Sequence, residues 1–354
     1  MKSEAVMGDV HATVKSAYSK NAKKRLVVSV LFLVCLFVVP LLSKDPFFHN
    51  IITLVFLWGA MAGAWNILGG YAGKFSLGNA VFFGTGAYTS SVLFNKFSIS
   101  PWWGMFAGMA LSVVFALILG LITLRLRGTF FCLCTIAVIS LMEIICIHLR
   151  SITNGAEGLL IDMRPGLANM VFNNDMAWSY IMLIFMLFVY FLTRWLEHNP
   201  LGYKWVALRE NEDAAESLGI NTLNAKLSAF VVSAMLTSTG GTLYAQYSLF
   251  IEPVYVYSLA LSIEFAMYAI IGGMGTAIGP ILGAVVITPL MILLRSSFPN
   301  FASGASMALY AVLLIVGVLF FPRGFVSVFT RLYNRFLGDE QPVADEKAER
   351  GTQC

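Results

Sequence analysis

Leu201-Gly202-Tyr203-Lys204-Trp205-Val206-Ala207-Leu208-Arg209-Glu210-Asn211-Glu212-Asp213-Ala214-Ala215-Glu216-Ser217-Leu218-Gly219-Ile220 is a wet stretch inside an otherwise greasy chain. Lys204, Arg209, Glu210, Glu212, Asp213 and Glu216 crowd into it, although only 12% of the whole sequence is charged. Leu208, Ala215 and Leu218 recur at roughly helical spacing with acids between them, which predicts a short amphipathic helix. Gly219 is placed to end that helix, because glycine takes the left-handed backbone of a C-terminal cap. Long apolar runs lie on both sides. The stretch is therefore either a solvated linker between membrane spans or a surface offered to a partner outside the lipid.

Working outward, the 354 residues are 58% hydrophobic and 14% aromatic, with a mean hydropathy of +0.78. A soluble domain is nearer half apolar and a quarter charged. Apolar runs close to the ~20 residues that cross a bilayer recur along the length. The expected class is an all-α polytopic membrane protein, since a barrel would show short alternating segments instead. About ten transmembrane helices are predicted, at 26–43, 48–68, 76–95, 101–124, 129–148, 177–196, 226–250, 258–273, 277–294 and 304–321. Glycine-rich breaks at 69–73 and 272–279 are glycine-broken or re-entrant segments, tolerated only where protein or a water-filled cavity surrounds the backbone. Counting them as re-entrant leaves nine spans.

Lys and Arg set the orientation. With the N-terminus inside, eighteen of them are cytosolic, and only Lys44, Lys96, Arg150, Arg164 and Arg295 lie outside. This positive-inside bias puts both termini and the opening stretch in the cytosol. The expected organisation is a cytosolic tail at 1–25, a transmembrane domain at 26–335 with a cytosolic coupling loop at 197–225, and a disordered cytosolic tail at 336–354. The long polar lead ending in Lys23-Lys24-Arg25 reads as a tail before a retained first span rather than a signal peptide.

Several function classes fall away. No G-x-x-x-x-G-K-[ST] loop is present, so the chain carries no ATPase of its own, and no basic stripe suggests nucleic acid. No catalytic constellation, cofactor motif or metal set is visible. Cys132 and Cys134 lie about 18–24 Å along one helix from Cys146 and His148, too far to share an ion.

What remains points to passage through the bilayer. Glu143 and Glu264 are the chief ionisable groups within spans, both nearer the outer surface, and an unpaired charge there is costly. They are candidate pathway residues with Asn66, Asn79, Gly272 and Gly273; Arg150, two turns from Glu143 on the same face, is its alternative structural partner. Gly104, Gly108, Ser112, Ala116 and Gly120, and again Gly275, Gly279 and Gly283, form small-residue faces for close helix packing.

Several blocks together resemble one family. Gly70-Tyr71-Ala72-Gly73-Lys74-Phe75-Ser76-Leu77-Gly78-Asn79-Ala80-Val81-Phe82-Phe83-Gly84-Thr85-Gly86-Ala87-Tyr88 is similar to the G-Y-A-G-x-x-S-L-G-x-A-x-F-F-G-x-G-A-Y block of LivM-type permeases. These are membrane subunits of branched-chain amino-acid ABC importers. Ala207 to Asn221 with Lys226-Leu227-Ser228-Ala229-Phe230, Ser262-Ile263-Glu264, Ile271-Gly272-Gly273-Met274-Gly275-Thr276 and Phe321-Pro322-Arg323-Gly324 extend the likeness across roughly 50–330. Asp213-Ala214-Ala215 and Gly219 keep the spacing of the importers' E-A-A-x-x-x-G loop with Asp for Glu, while its later I-x-L-P part is absent. Asn154 and Glu157 replace Gly and Asp in the family's L-T-G-G-x-D-G-L loop, and Thr237-Ser238-Thr239 replace a more Ala/Gly-rich run.

The resemblance implies a heteromeric importer in a bacterial inner membrane. Its other parts would be a second, LivH-like permease, two cytosolic ABC ATPases and a periplasmic solute-binding protein. Arg209, Glu210, Asp213, Ala214, Ala215 and Gly219 would contact an ATPase. Arg150, Glu157, Asp162 and Arg164 in the outer loop would dock the binding protein. No cofactor is expected on this chain. Leucine, isoleucine and valine follow from the resemblance alone, and an amide, urea or another amino acid is the alternative cargo. An ion-coupled secondary transporter is the rival class, but such proteins place ion sites near the midplane, and both intramembrane acids sit off-centre.

Overall fold

Because lipid supplies little hydrophobic force between helices, a membrane bundle is held by backbones that can approach closely. The computed structural model describes residues 36–126, 128–172, 174–297 and 324–327, and within Pro40–Val326 it is such a bundle. The helices are α1 (Pro46–Asn66), α2 (Asn79–Phe97), α3 (Pro101–Thr123), α4 (Thr129–His148), α5 (Arg150–Thr153) and α6 (Asp175–Glu197), then α7 (Pro200–Glu210), α8 (Glu212–Ser217), α9 (Thr222–Ser248), α10 (Pro253–Val256), α11 (Leu259–Gly273) and α12 (Gly279–Ser297). Every expected span from 48–68 to 277–294 coincides with a helix. The spans at 26–43 and 304–321 lie largely or wholly outside the described residues, as do the tails at 1–25 and 336–354.

Among the described residues, five helical segments are long and apolar enough to cross a membrane, and Gly279–Leu293 is a shorter apolar helix. The chain is thus a multi-pass, all-α membrane protein. α1 is central: 89% of its apolar stretch is buried, against 22% for α3 and for α4. Trp103, Phe106, Ile118 and Ile122 of α3, with Phe130 and Leu133 of α4, form exposed apolar faces suited to lipid. α2 and α9 are as long but more polar, because they lie inside the bundle rather than against lipid. Asn79, Ser90, Ser91, Ser233, Thr237, Ser238, Thr242 and Gln246 are all buried there.

The small-residue faces do the packing they were read for. α3 buries Gly104, Gly108, Ser112, Ala116 and Gly120. A Cβ on Gly104 would stand 2.9 Å from Ser90 Cα, and one on Gly86 only 2.0 Å from Ser238 O. The Thr/Ser-rich run of α9 packs just as closely, since a Cβ on Gly241 would lie 2.0 Å from Phe83 O. Its hydroxyls turn back to backbone carbonyls: Thr237 donates to Ser233 O and Thr242 to Gly86 O.

Both glycine-rich stretches break the helices. α1 runs into a π-helical turn at Ile67–Tyr71, a rare winding common at functional sites, and the chain is non-helical from Ala72 to Gly78. Trp65 Nε1 donates to Ser76 O at 2.7 Å and pins that loop. α11 stops at Gly273, and Gly273 and Gly275 have φ of 131° and 75° before α12 begins. At the opposite end, the 149–174 loop is tied down by a small ribbon that the sequence did not suggest. Leu159–Leu160 pairs antiparallel with Phe250–Ile251.

Candidate functional site

The 200–220 stretch is helical as expected, but it is two helices rather than one. Asn211 takes an extended backbone, φ −158° and ψ 112°, so α7 ends on it and α8 starts from it. Its side chain accepts from Ala214 N at 3.0 Å, the usual role of Asn at a helix N-cap. The break changes which residues share a face. Leu208 and Ala215 are buried, but Leu218 is 83% exposed and does not join them. Gly219 ends α8 at φ 82°, its N–H reaching Glu216 O and that of Ile220 reaching Ala215 O, the paired closure of a Schellman cap. Arg209, Glu210, Asp213, Ala214 and Gly219 are exposed, and Ala215 faces inward.

This two-helix element is fastened at three points to the end of the bundle where both glycine breaks lie, and the end of α6 just before it adds a fourth tie. Glu197, ending α6, accepts from Tyr71 Oη at 2.6 Å and pairs with Arg194 at 2.7 Å. Trp205 is buried and its Nε1 donates to Ala225 O and Ser228 Oγ, each at 3.0 Å. Arg209 donates from Nη1 to Gly70 O at 3.1 Å and holds Glu210 with Nη2 and Nε. Glu212 bridges Lys74, at 2.9 Å, and Lys226, in a shorter contact.

Arg209 reaches both breaks. A Cβ on Gly73 would lie 2.8 Å from Arg209 Cγ, and one on Gly275 would lie 2.6 Å from Nη1. The two breaks also meet each other through Asn66, which is fully buried. Asn66 Oδ1 accepts from Gly275 N at 2.8 Å and Nδ2 donates to Thr276 O at 2.9 Å. Gly70 has to be glycine here, since a Cβ would stand 1.9 Å from Asn66 Oδ1.

One carboxylate faces two ammonium groups at the bridge. Burial by itself raises the Glu212 carboxyl, but hydrogen bonds from Lys226 and Lys74 outweigh it and hold the group below the ordinary 4.5. Lys74, Lys226, Glu212, Tyr71, Glu197 and Trp205 carry no site role in the sequence reading. The available signal was an acid between two span-end lysines, which spacing alone could not bring together.

The remaining predicted residues do not converge. Gly272 packs against Gly279 and Gly283, and Gly273 against Val326, so both support the second break. Asn79 starts α2 directly after the non-helical 72–78 stretch and donates to Ser233 Oγ of α9 at 3.2 Å. Glu264 is half-buried and accepts from Tyr268 Oη one turn along. Glu143, half-buried on the peripheral α4, makes no ion pair with Arg150 among the described residues. Leu149, at ψ 47°, ends the helix and restarts the chain as α5, so the two are not on one face. At the opposite end Arg150, Glu157, Asp162 and Arg164 are exposed, with Arg164 paired to Asp162 at 2.8 Å and bonded to Ser98 Oγ.

Comparison with known proteins fits this arrangement. The chain is 27% identical over 302 residues to the high-affinity branched-chain amino acid transport system permease protein LivM of Salmonella typhimurium, covering 79% of this chain and 70% of that protein. The Escherichia coli LivM matches to the same extent. A probable branched-chain amino acid transport permease protein LivM of Methanocaldococcus jannaschii is 22% identical over 271 residues, 71% of this chain and 77% of that one. No solved structure matches the chain. The profile described as the permease component of the branched-chain amino acid transport system matches residues 47–319, a span that takes in both glycine breaks and the docked 200–217 helices. This chain belongs to that permease family.

Proposed function

We propose that the chain is one of two permease subunits of an ATP-driven importer for leucine, isoleucine and valine. It would form half of the translocation pathway and bind no cofactor itself. The observation that carries the reading is the α7–α8 element: charged, exposed on one side, fastened through Arg209 and Glu212 to the α1 break and to Lys226 of α9, and packed by Arg209 against Gly275 in the second break. A chain without a phosphate loop needs a motor outside itself, and an exposed rigid lever joined to hinge-like breaks is where such a motor acts by rigid-body switching. The positive-inside bias supports placing this element, and both termini, on the cytosolic side of a bacterial inner membrane. Two ABC ATPases would engage Arg209, Glu210, Asp213, Ala214 and Gly219. A LivH-like permease would complete the pathway, and a periplasmic binding protein would deliver the solute at the 149–174 loop.

The test is uptake by the complex reconstituted in liposomes with its binding protein. Leucine, isoleucine and valine should each accumulate when ATP is enclosed, and an uncoupler should leave uptake intact. Uptake that needs no ATP and collapses with the proton gradient overturns the reading.

A further inference from the structure

We infer that Asn66 is a positioning residue that locks the two glycine breaks into one joint, so that movement of α7–α8 reaches α1 and the α11–α12 turn together. The inference rests on the proposed ATP-driven import.

Three observations carry it. First, the Asn66 amide is used at both ends on one backbone segment: Oδ1 takes the N–H of Gly275, and Nδ2 gives to the carbonyl of Thr276. A single side chain thus replaces two rungs of backbone pairing between segments more than two hundred residues apart in sequence. Second, the contact lies at the weak point of both segments. Asn66 is the last residue of α1 before the π-helical turn, and Gly275 and Thr276 lie in the non-helical turn between α11 and α12. Third, Arg209 touches both sides of the same contact. Its Nη1 donates to Gly70 O, and a Cβ on Gly275 would lie 2.6 Å from Nη1 and 3.3 Å from Gly70 O.

The packing leaves little slack. Side chains at Gly70 and Gly275 would displace the amide or the guanidinium. Thr276 closes its own turn by donating from Oγ1 to Gly273 O at 2.7 Å and accepting from Gly279 N at 3.2 Å. A pull on Arg209 that lifts Gly70 therefore carries Asn66 with it, and Asn66 carries Gly275 and Thr276. Without the amide, α7–α8 would still grip the α1 break, but the α11–α12 turn would no longer follow.

The experiment compares the reconstituted wild-type complex with Asn66→Ala and with Thr53→Val. Thr53 is buried at the other end of α1 and meets Ser179 Oγ at 2.9 Å, so that variant also deletes a buried hydrogen bond but leaves the breaks alone. Asn66→Ala should keep ATP hydrolysis while solute moved per ATP falls by about tenfold or more, the scale of two lost bonds to buried backbone groups. Thr53→Val should lower assembled complex, hydrolysis and uptake in proportion. An unchanged ratio of uptake to hydrolysis in Asn66→Ala overturns the inference. A wild-type complex that imports nothing with ATP would instead defeat the functional proposal. Hydrogen exchange on the wild-type complex needs no variant to fold: peptides covering 67–74 and 272–278 should change protection together when the ATPases are trapped with nucleotide and vanadate. A change in one peptide alone, or in neither, overturns the joint.

Discussion

Replacing Glu212 by alanine should release the α7–α8 element from the bundle. The carboxylate sits between Lys226, whose side chain is 5% exposed, and Lys74, which is 16% exposed. Its removal leaves a buried ammonium without a counter-charge and a second ammonium beside it. Breaking a buried pair in this way costs about 3–5 kcal/mol. Glu212 keeps roughly a quarter of its side-chain surface, which discounts the loss to about 2–3 kcal/mol. Lys74→Ala should cost far less, about 0.2–1 kcal/mol, because Lys226 still neutralises the acid. Glu212→Ala/Lys226→Met should recover most of the loss, since only the more exposed Lys74 is then left without a counter-charge. Amide exchange in 200–217 reads these differences as local opening. Protection should fall roughly 30- to 150-fold in Glu212→Ala and at most about fivefold in Lys74→Ala. Equal effects in the two single variants, or a double variant as exposed as the sum of its parts, would refute the bridge. The pH dependence has a fixed sign. Because the folded Glu212 carboxyl lies below its ordinary 4.5, its contribution is complete above that pH and is lost as pH falls below it, through the folded value. Acidification below 4.5 should therefore loosen 200–217 in the wild type, with no matching step in Glu212→Ala.

Other perturbations follow from the same geometry. Gly219→Pro cannot adopt φ 82°, and Ala215→Arg has no room at a buried site, so either should abolish uptake and ATPase co-purification while the chain still inserts. Trp205→Phe replaces the buried indole by a smaller ring and loses the bonds to Ala225 O and Ser228 Oγ; exchange protection of Pro200–Glu210 should drop by an amount equivalent to about 2 kcal/mol or more. Gly86→Ala drives a methyl to 2.0 Å from Ser238 O, and overpacking against backbone should cost about 3 kcal/mol, seen as lost monodisperse protein on size exclusion. Gly128→Ala meets nothing within 4 Å but must hold φ 59° with ψ −132°, a region that disfavours any Cβ, so its thermal midpoint should shift by an amount worth about 1–3 kcal/mol.

Much of the architecture was legible from one-dimensional pattern. Apolar run length alone located the long helices α1 to α4, α6, α9, α11 and α12, because a bilayer demands about twenty apolar residues and satisfies backbone polarity only within a helix, whereas the four-residue α5 and α10 left no such signal. The stripe Gly104 to Gly120 and the cap at Gly219 were equally readable, since helical period and left-handed backbone are local properties of the chain. The break at Asn211 was not read, though a cap signal was present: Asn211 precedes Glu212 and Asp213, and the apolar spacing of Leu208, Ala215 and Leu218 hid the change of helix. The pairing of Glu143 with Arg150 failed for a related reason, because same-face arithmetic holds only while one helix continues, and Leu149 ends it.

The site itself was decided by tertiary structure. Glycine runs at 69–73 and 272–279 announced broken backbone, but nothing in their spacing says that Asn66 spans them or that Arg209 lies against both. Lys74, Glu212 and Lys226 are separated by whole helices, and their meeting depends on how α1, α2 and α9 close around one another. Sequence alone therefore determined the all-α membrane class, the helix positions and the presence of a charged element between spans. Folding decided what that element grips, because hydrogen bonds and ion pairs between distant segments depend on three-dimensional closure rather than on period or composition.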